Sequence, residues 1–164
     1  MSVTKRRFIA TTAVTILLIA VVVLIFFVFC WDKDTYTLVL KDQQSGCVYQ
    51  SFRVNNNDVF SVEFIHSVNK SPVCDYFEIK DGEIFAFKTK YSAFGAGVQT
   101  EIAEGQTLSY DKDNNMIVQG FDLKFDSVRY IVGTVSDHVL EIDGQKISLR
   151  QLCGKNAHVE FVID

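Results

Sequence analysis

FSVEFIHSVNKSPVCDYFEIKDGEIFAFKTKYSAFGAG, running from Phe60 to Gly97, decides how this chain folds. Phe60, Val62 and Phe64 alternate with Ser61 and Glu63. Side chains on a strand point alternately to its two faces, so these three share a face that His66 extends. Ser67 to Pro72 carries turn residues and the only proline of the chain. The following strand sets Val73, Asp75, Phe77 and Ile79 on one face, with Asp75 interrupting an apolar row. Asp81-Gly82 is the signal of a two-residue hairpin. That turn places Ile79 opposite Ile84, Phe77 opposite Ala86 and Asp75 opposite Lys88; on the other face Tyr76 meets Phe87 and Glu78 meets Phe85. Pairing of the first two strands brings His66 and Asp75 opposite each other or one residue diagonal. The expectation is a buried His66–Asp75 pair, aided by Lys88, at the loop end of the core.

Both faces of this strand pair are apolar enough for the middle of a sandwich or barrel. Upstream, Thr35 to Lys41 and Cys47 to Val54 are strand candidates joined by the turn Gln43 to Gly46, and Asn55 to Asp58 is a polar loop. Downstream, Tyr91 to Gly97 leaves the sheet, and no strand pattern appears before Gly105. Thr107 to Tyr110 and Met116 to Gln119 form a hairpin across Asp111 to Asn114, and Phe121, Leu123 and Phe125 make an amphipathic strand. Val128 to Val132 fits no single pattern. His138, Leu140 and Ile142 share a face, Asp143-Gly144 turns, and Ile147 and Leu149 return. Ala157, Val159, Phe161 and Ile163 form a last strand from which His158 points outward. With no long helical periodicity, residues 32–164 read as an all-β, antiparallel sandwich or small open barrel.

Phe8 to Trp31 carries no charge. About 20 apolar residues cross a bilayer as a helix, so this stretch reads as a transmembrane anchor. Lys5, Arg6 and Arg7 precede it, which keeps residues 1–7 cytoplasmic and sends the rest outside. Cell-membrane localisation, single-pass, follows. A cleaved signal peptide needs small residues before the cut, but here the run ends Phe-Phe-Val-Phe-Cys. Phe29 likewise blocks a lipoprotein role for Cys30, which reads as a plain apolar thiol.

Residues 32–164, 133 in all, suit one domain. Setting aside the three basic residues of the N-terminus leaves 13 Lys and Arg against 20 Asp and Glu, a net charge of about −7. Such a surface repels phosphate backbones, which argues against nucleic acid as a partner. Cys47, Cys74 and Cys153 allow one disulfide in any of three pairings or three free thiols, and their spacing fits no zinc motif.

Ser67, His66 and Asp75 suggest an acyl-transfer relay, but neighbours on a strand point apart and no Gly-x-Ser-x-Gly elbow is present. A metal site from His66, Asp75 and His138 needs convergence that the spacing does not impose. Gly95-Ala96-Gly97 either brings amides to an anionic ligand or simply makes a tight bend. None of these patterns calls for a cofactor or a metal.

Phe64-Ile-His-Ser-Val-Asn-Lys-Ser-Pro-Val73, Asp75-Tyr-Phe77 and Tyr91-Ser-Ala-Phe-Gly-Ala-Gly97 together resemble the bacterial family designated domain of unknown function 1850. His138-Val-Leu-Glu-Ile-Asp-Gly144 fits its C-terminal part, and the resemblance spans Thr37 to Val162. Asp75 stands where members carry glutamate, a change that keeps the charge. Such proteins commonly accompany the solute receptor and membrane subunits of tripartite ATP-independent periplasmic (TRAP) transporters of the TAXI subtype. The resemblance therefore implies an accessory or binding module in solute uptake, with a TRAP membrane subunit or TAXI receptor as partner. It carries over His66, Ser67, Lys70, Asp75, Gly95 and Gly97 as the site. Phe94 joins them as an aromatic anchor, because the loops Ser67 to Lys70 and Phe94 to Gly97 leave the same end of the sheet, or else merely plugs that end. The alternative is a small extracytoplasmic hydrolase or metal-dependent enzyme using His66 and Asp75.

Overall fold

The computed structural model describes residues 18–23, 35–92 and 102–164. Residues 18–23 are helical and belong to one unit, Met1–Asp34; Thr35–Asp164 form another. Among the described residues no helix is long and apolar enough to cross a membrane, and the stretch Phe8 to Trp31 lies outside them except for 18–23.

The second unit is built from strands β1 (Thr35–Asp42), β2 (Val48–Asn55), β3 (Val59–Ile65), β4 (Pro72–Lys80), β5 (Glu83–Tyr91), β6 (Thr107–Tyr110), β7 (Met116–Phe125), β8 (Val128–Ile131), β9 (His138–Ile142), β10 (Gln145–Ser148) and β11 (His158–Ile163). They form two antiparallel sheets, one ordered β10-β9-β3-β4-β5-β7-β6 and the other β2-β1-β11-β8. Neither sheet closes on itself, so the fold is the expected antiparallel sandwich and not a barrel. Inward residues of both sheets interleave in one core: Phe60 stacks on Phe77 at 5.0 Å and reaches across to Phe161 of the smaller sheet at 5.5 Å. A smaller cluster, Val73, Tyr91, Met116 and Val118, lies further along the larger sheet.

Most strands fall where alternation puts them, and three local features differ. The hairpin strand from Met116 and the amphipathic stretch to Phe125 are one strand, β7. Val128 to Ile131 is the edge strand β8, too short and too near a bend for periodicity to reveal. After β10 the chain enters a short helix, Leu149–Cys153, instead of continuing as a strand through Leu149. Ser148 caps it by accepting from the Gln151 N–H at 3.0 Å, and Leu149 is fully buried. Cys47, Cys74 and Cys153 are free thiols.

Two turns depend on backbone that few residues adopt. Asp81 and Gly82 both have positive φ, 50° and 77°, as the tight β4–β5 hairpin requires. Gly120, in β7, has φ +89° and sits where a Cβ would lie 2.6 Å from the Gly105 carbonyl oxygen. Gly120→Ala should therefore lower the unfolding free energy by about 1–3 kcal/mol. Urea denaturation measures this, and an unchanged midpoint would show that β7 tolerates a side chain there.

Candidate functional site

The β3–β4 register fixes what the residues near the loop can do. Asp75 lies opposite Val62, and Ile65 opposite Pro72. His66 is thus already in the turn, where its N–H donates to the Ser71 carbonyl and its own carbonyl accepts from the Lys70 N–H. Its Nδ1 faces the Val68 and Asn69 amides at 3.4 and 3.3 Å. The expected His66–Asp75 pair does not form: the hairpin is longer by several residues than an opposition of these two would need. Ser67 and Lys70 are exposed in the same turn, Lys70 at φ +54°. The ends of β3 and β5 do lie together, since Val73 pairs with both Phe64 and Tyr91. Phe94, Gly95 and Gly97 lie outside the described residues.

Lys88 is not Asp75's partner either. Ile79, Glu78 and Phe77 pair with Ile84, Phe85 and Ala86 as expected, but the register then slips, so that Tyr76 meets Lys88 and Asp75 meets Thr89. Phe87 is the extra residue of a β-bulge, which puts two consecutive residues against one. Phe87 and Lys88 both end on the outer face: Phe87 packs edge-on to Tyr76, and the Lys88 ammonium sits 3.7 Å from the Tyr76 ring centre. Thr89 takes the inward position instead.

Asp75 consequently faces the interior beside two hydroxyl donors. Thr89 Oγ1 donates to one carboxylate oxygen at 3.0 Å, and the Tyr130 hydroxyl donates to the other at 3.1 Å. Tyr130 comes from β8 of the smaller sheet, so these bonds join the two layers. Behind Tyr130 lies His138, which stacks on Phe64 at 5.1 Å and meets the tyrosine ring edge-on at 5.7 Å. His138 Nδ1 accepts from the Gly133 N–H. Burial pushes the His138 pKa down against the pull of Asp137, favouring the neutral ring.

In front of Asp75 the sandwich opens. A cavity of about 770 Å³ is lined by Asp75, Phe77, Thr89, Phe121, Leu123 and Tyr130, with Lys124, Asp126 and Arg129 among its other residues. It exists because β6 pairs only with the first part of β7, as far as Gln119, and the smaller sheet ends at β8. Leu123 and Phe125 oppose Ala86 and Ile84 on the inward face, yet among the described residues no strand covers them and they are 54% and 39% exposed. Inward-facing apolar side chains left open to solvent form a concave wall of the kind that holds small ligands.

Residues 60–149, more than half of the chain, match the family described as Domain of unknown function (DUF1850). The chain belongs to the DUF1850 family. No curated protein and no solved structure matches it. The DUF1850 match runs from β3 through β10, so it contains the whole seven-stranded sheet, β8 and every residue around Asp75, while β1, β2 and β11 fall outside.

Of the described residues expected to form the DUF1850 site, Asp75 lines this cleft and His66, Ser67 and Lys70 do not; Thr89, Tyr130, Phe121 and Leu123 join it. The amphipathic β7 pattern already pointed to Phe121 and Leu123. Thr89 and Tyr130 gave no signal, because one depends on the bulge and the other on an edge strand.

Burial is the largest influence on Asp75 and raises its pKa, only partly offset by the Thr89 and Tyr130 bonds; Tyr130 is raised well above its usual value by the same burial and by the carboxylate. Between the ordinary carboxylate value of 3.8 and the higher folded value, the folded chain keeps the proton that the unfolded chain has lost. Stability must therefore fall as pH rises through that window. Asp75→Asn lacks this dependence. Urea denaturation from about pH 3.5 to 7.5 should show wild type losing stability relative to Asp75→Asn as pH rises. A pH-independent difference would mean that the carboxyl is solvated.

Proposed function

We propose that this chain is a membrane-anchored, extracytoplasmic binding module of a TRAP-type solute uptake system of the TAXI subtype, and that it binds a small molecule in the cleft before Asp75. The observation that carries the binding reading is that cleft: its size lies within the range of ligand pockets, its walls are aromatic and aliphatic, and a few polar groups converge at its floor. The transporter association rests on the family resemblance, and the anchor on the charge-free stretch Phe8 to Trp31 with its preceding Lys and Arg residues.

A binding role fits the chemistry better than catalysis by His66 and Asp75. A general base must reach the group it activates, whereas the register keeps His66 in the turn and gives Asp75 only hydroxyl partners. Among the described residues no three His, Cys, Asp or Glu side chains converge to hold a metal ion.

Tagged full-length chain, purified in mild detergent from its own host, should bring with it a transporter membrane subunit or solute receptor, identified by mass spectrometry. It should also retain a small molecule after exposure to a host metabolite extract. Leu123→Arg, at a solvent-exposed wall position, should keep the fold and the protein partner but lose the small molecule. Absence of any transporter component from the wild-type preparation removes the accessory reading, and equal retention by Leu123→Arg moves the ligand site elsewhere.

A further inference from the structure

We infer that the cleft selects an organic ammonium cation with an apolar body. This rests on the cleft being the binding site. The inference comes from which charges around the cleft are already satisfied. Its two cationic side chains are committed: Lys124 Nζ lies 2.6 Å from Glu83, and Arg129 Nε lies 3.2 Å from Glu160, a carboxylate that also meets Lys41. Each of these carboxylates offsets the charge that its partner cation would offer an anionic ligand. Among the described residues Asp75 has no cation paired with it, and its donors there are the Thr89 and Tyr130 hydroxyls, one to each oxygen. An ionised carboxylate has about four acceptor positions, so half of its capacity is left for a donor arriving from the cleft.

The neighbouring surfaces suit the rest of such a ligand. Tyr130, Phe77, Phe121 and Phe125 present aromatic surface to the cavity that Asp75 floors. Ring faces attract cations, most strongly away from water, and the same apolar walls would bury the hydrocarbon part of an amine. A carboxylate with aromatic walls is a complement for an ammonium group and a poor one for a carboxylate or phosphate. The acidic balance of residues 32–164 works in the same direction by raising the local concentration of cations. Asp126 lines the mouth and adds negative charge beside Lys124.

The test compares three probes of one shape: phenethylammonium, 2-phenylethanol and phenylacetate. Each is titrated into isotopically labelled full-length chain in non-ionic detergent, and the backbone amide resonances of Thr89, Leu123 and Tyr130 are followed. Phenethylammonium should saturate these shifts at concentrations at least about tenfold below those needed for the alcohol, with phenylacetate weaker still. Asp75→Asn should weaken the ammonium at least about tenfold more than it weakens the alcohol, which separates lost charge from lost fold. Equal binding of alcohol and ammonium, or tighter binding of phenylacetate, overturns the charge inference but leaves the cleft as a binding site. Shifts from none of the three overturn both. The wild-type comparison needs no variant, so it holds even if Asp75→Asn does not fold.

Discussion

Phe60 is the contact on which the two sheets depend. It stands in β3, stacks on Phe77 of the neighbouring strand and reaches Phe161 of β11, so a single side chain joins the larger sheet to the smaller one. Around it Leu38, Leu40, Val62, Ile79, Ile84, Leu140 and Val159 are essentially removed from water, which at about 25 cal/mol per Å² makes this the main source of stability. Leu149, placed by the capped turn after β10, closes the same core. The larger sheet has seven strands and the smaller only four, so this joint cannot extend over the whole inner face. Among the described residues no strand lies over β7 beyond β8, and the cleft is the geometric remainder of that mismatch.

What lies at the junction between the covered and uncovered parts is set by one extra residue. Without the bulge at Phe87, Asp75 would face Lys88, and a buried ion pair would fill the cleft floor. With it, Lys88 is carried outward onto Tyr76, and Thr89 comes in. The ammonium keeps a favourable contact on an aromatic face, and the carboxylate loses its counter-ion while keeping hydroxyl donors. Burying a charge without a partner charge is costly, and that burial raises the pKa of Asp75. Packing alone gives no reason to retain an acid there, since an apolar residue would suit the space between Val73 and Phe77. A site that must meet a polar ligand does give one, and strain of this sort commonly marks where proteins act.

Alternation and turn chemistry were enough to read the strands from Thr35 to Lys80 and the last strand, because each carries an alternating apolar row and Gly, Asn, Asp or Pro residues mark the turns between them. The Asp81-Gly82 turn even fixed the first pairs of the β4–β5 hairpin. Register failed where local sequence carries no mark of it. The bulge at Phe87 arises from pairing with β4 and β7 together, and β7 itself is irregular opposite it, near Gly120. His66 and Asp75 were matched by counting from a loop whose turn in fact takes in His66. The site suffered more than the fold, since a one-residue slip exchanges inward for outward neighbours.

Tyr130 shows why the remaining part of the site could not be read locally. It belongs to a four-residue edge strand whose partners, β11 on one side and Asp75 across the sandwich, are far away in sequence. Its hydroxyl ties the floor of the cleft to the smaller sheet, and its ring packs against the stacked Phe64 and His138. His138 has its Nδ1 engaged by the Gly133 amide and is kept neutral by burial, so it supports the tyrosine as an uncharged wall. Moving Lys88 to the outer face and pairing Arg129 with Glu160 have a common result: the carboxylate at the floor faces the cleft with hydroxyl donors and, among the described residues, no cation paired with it.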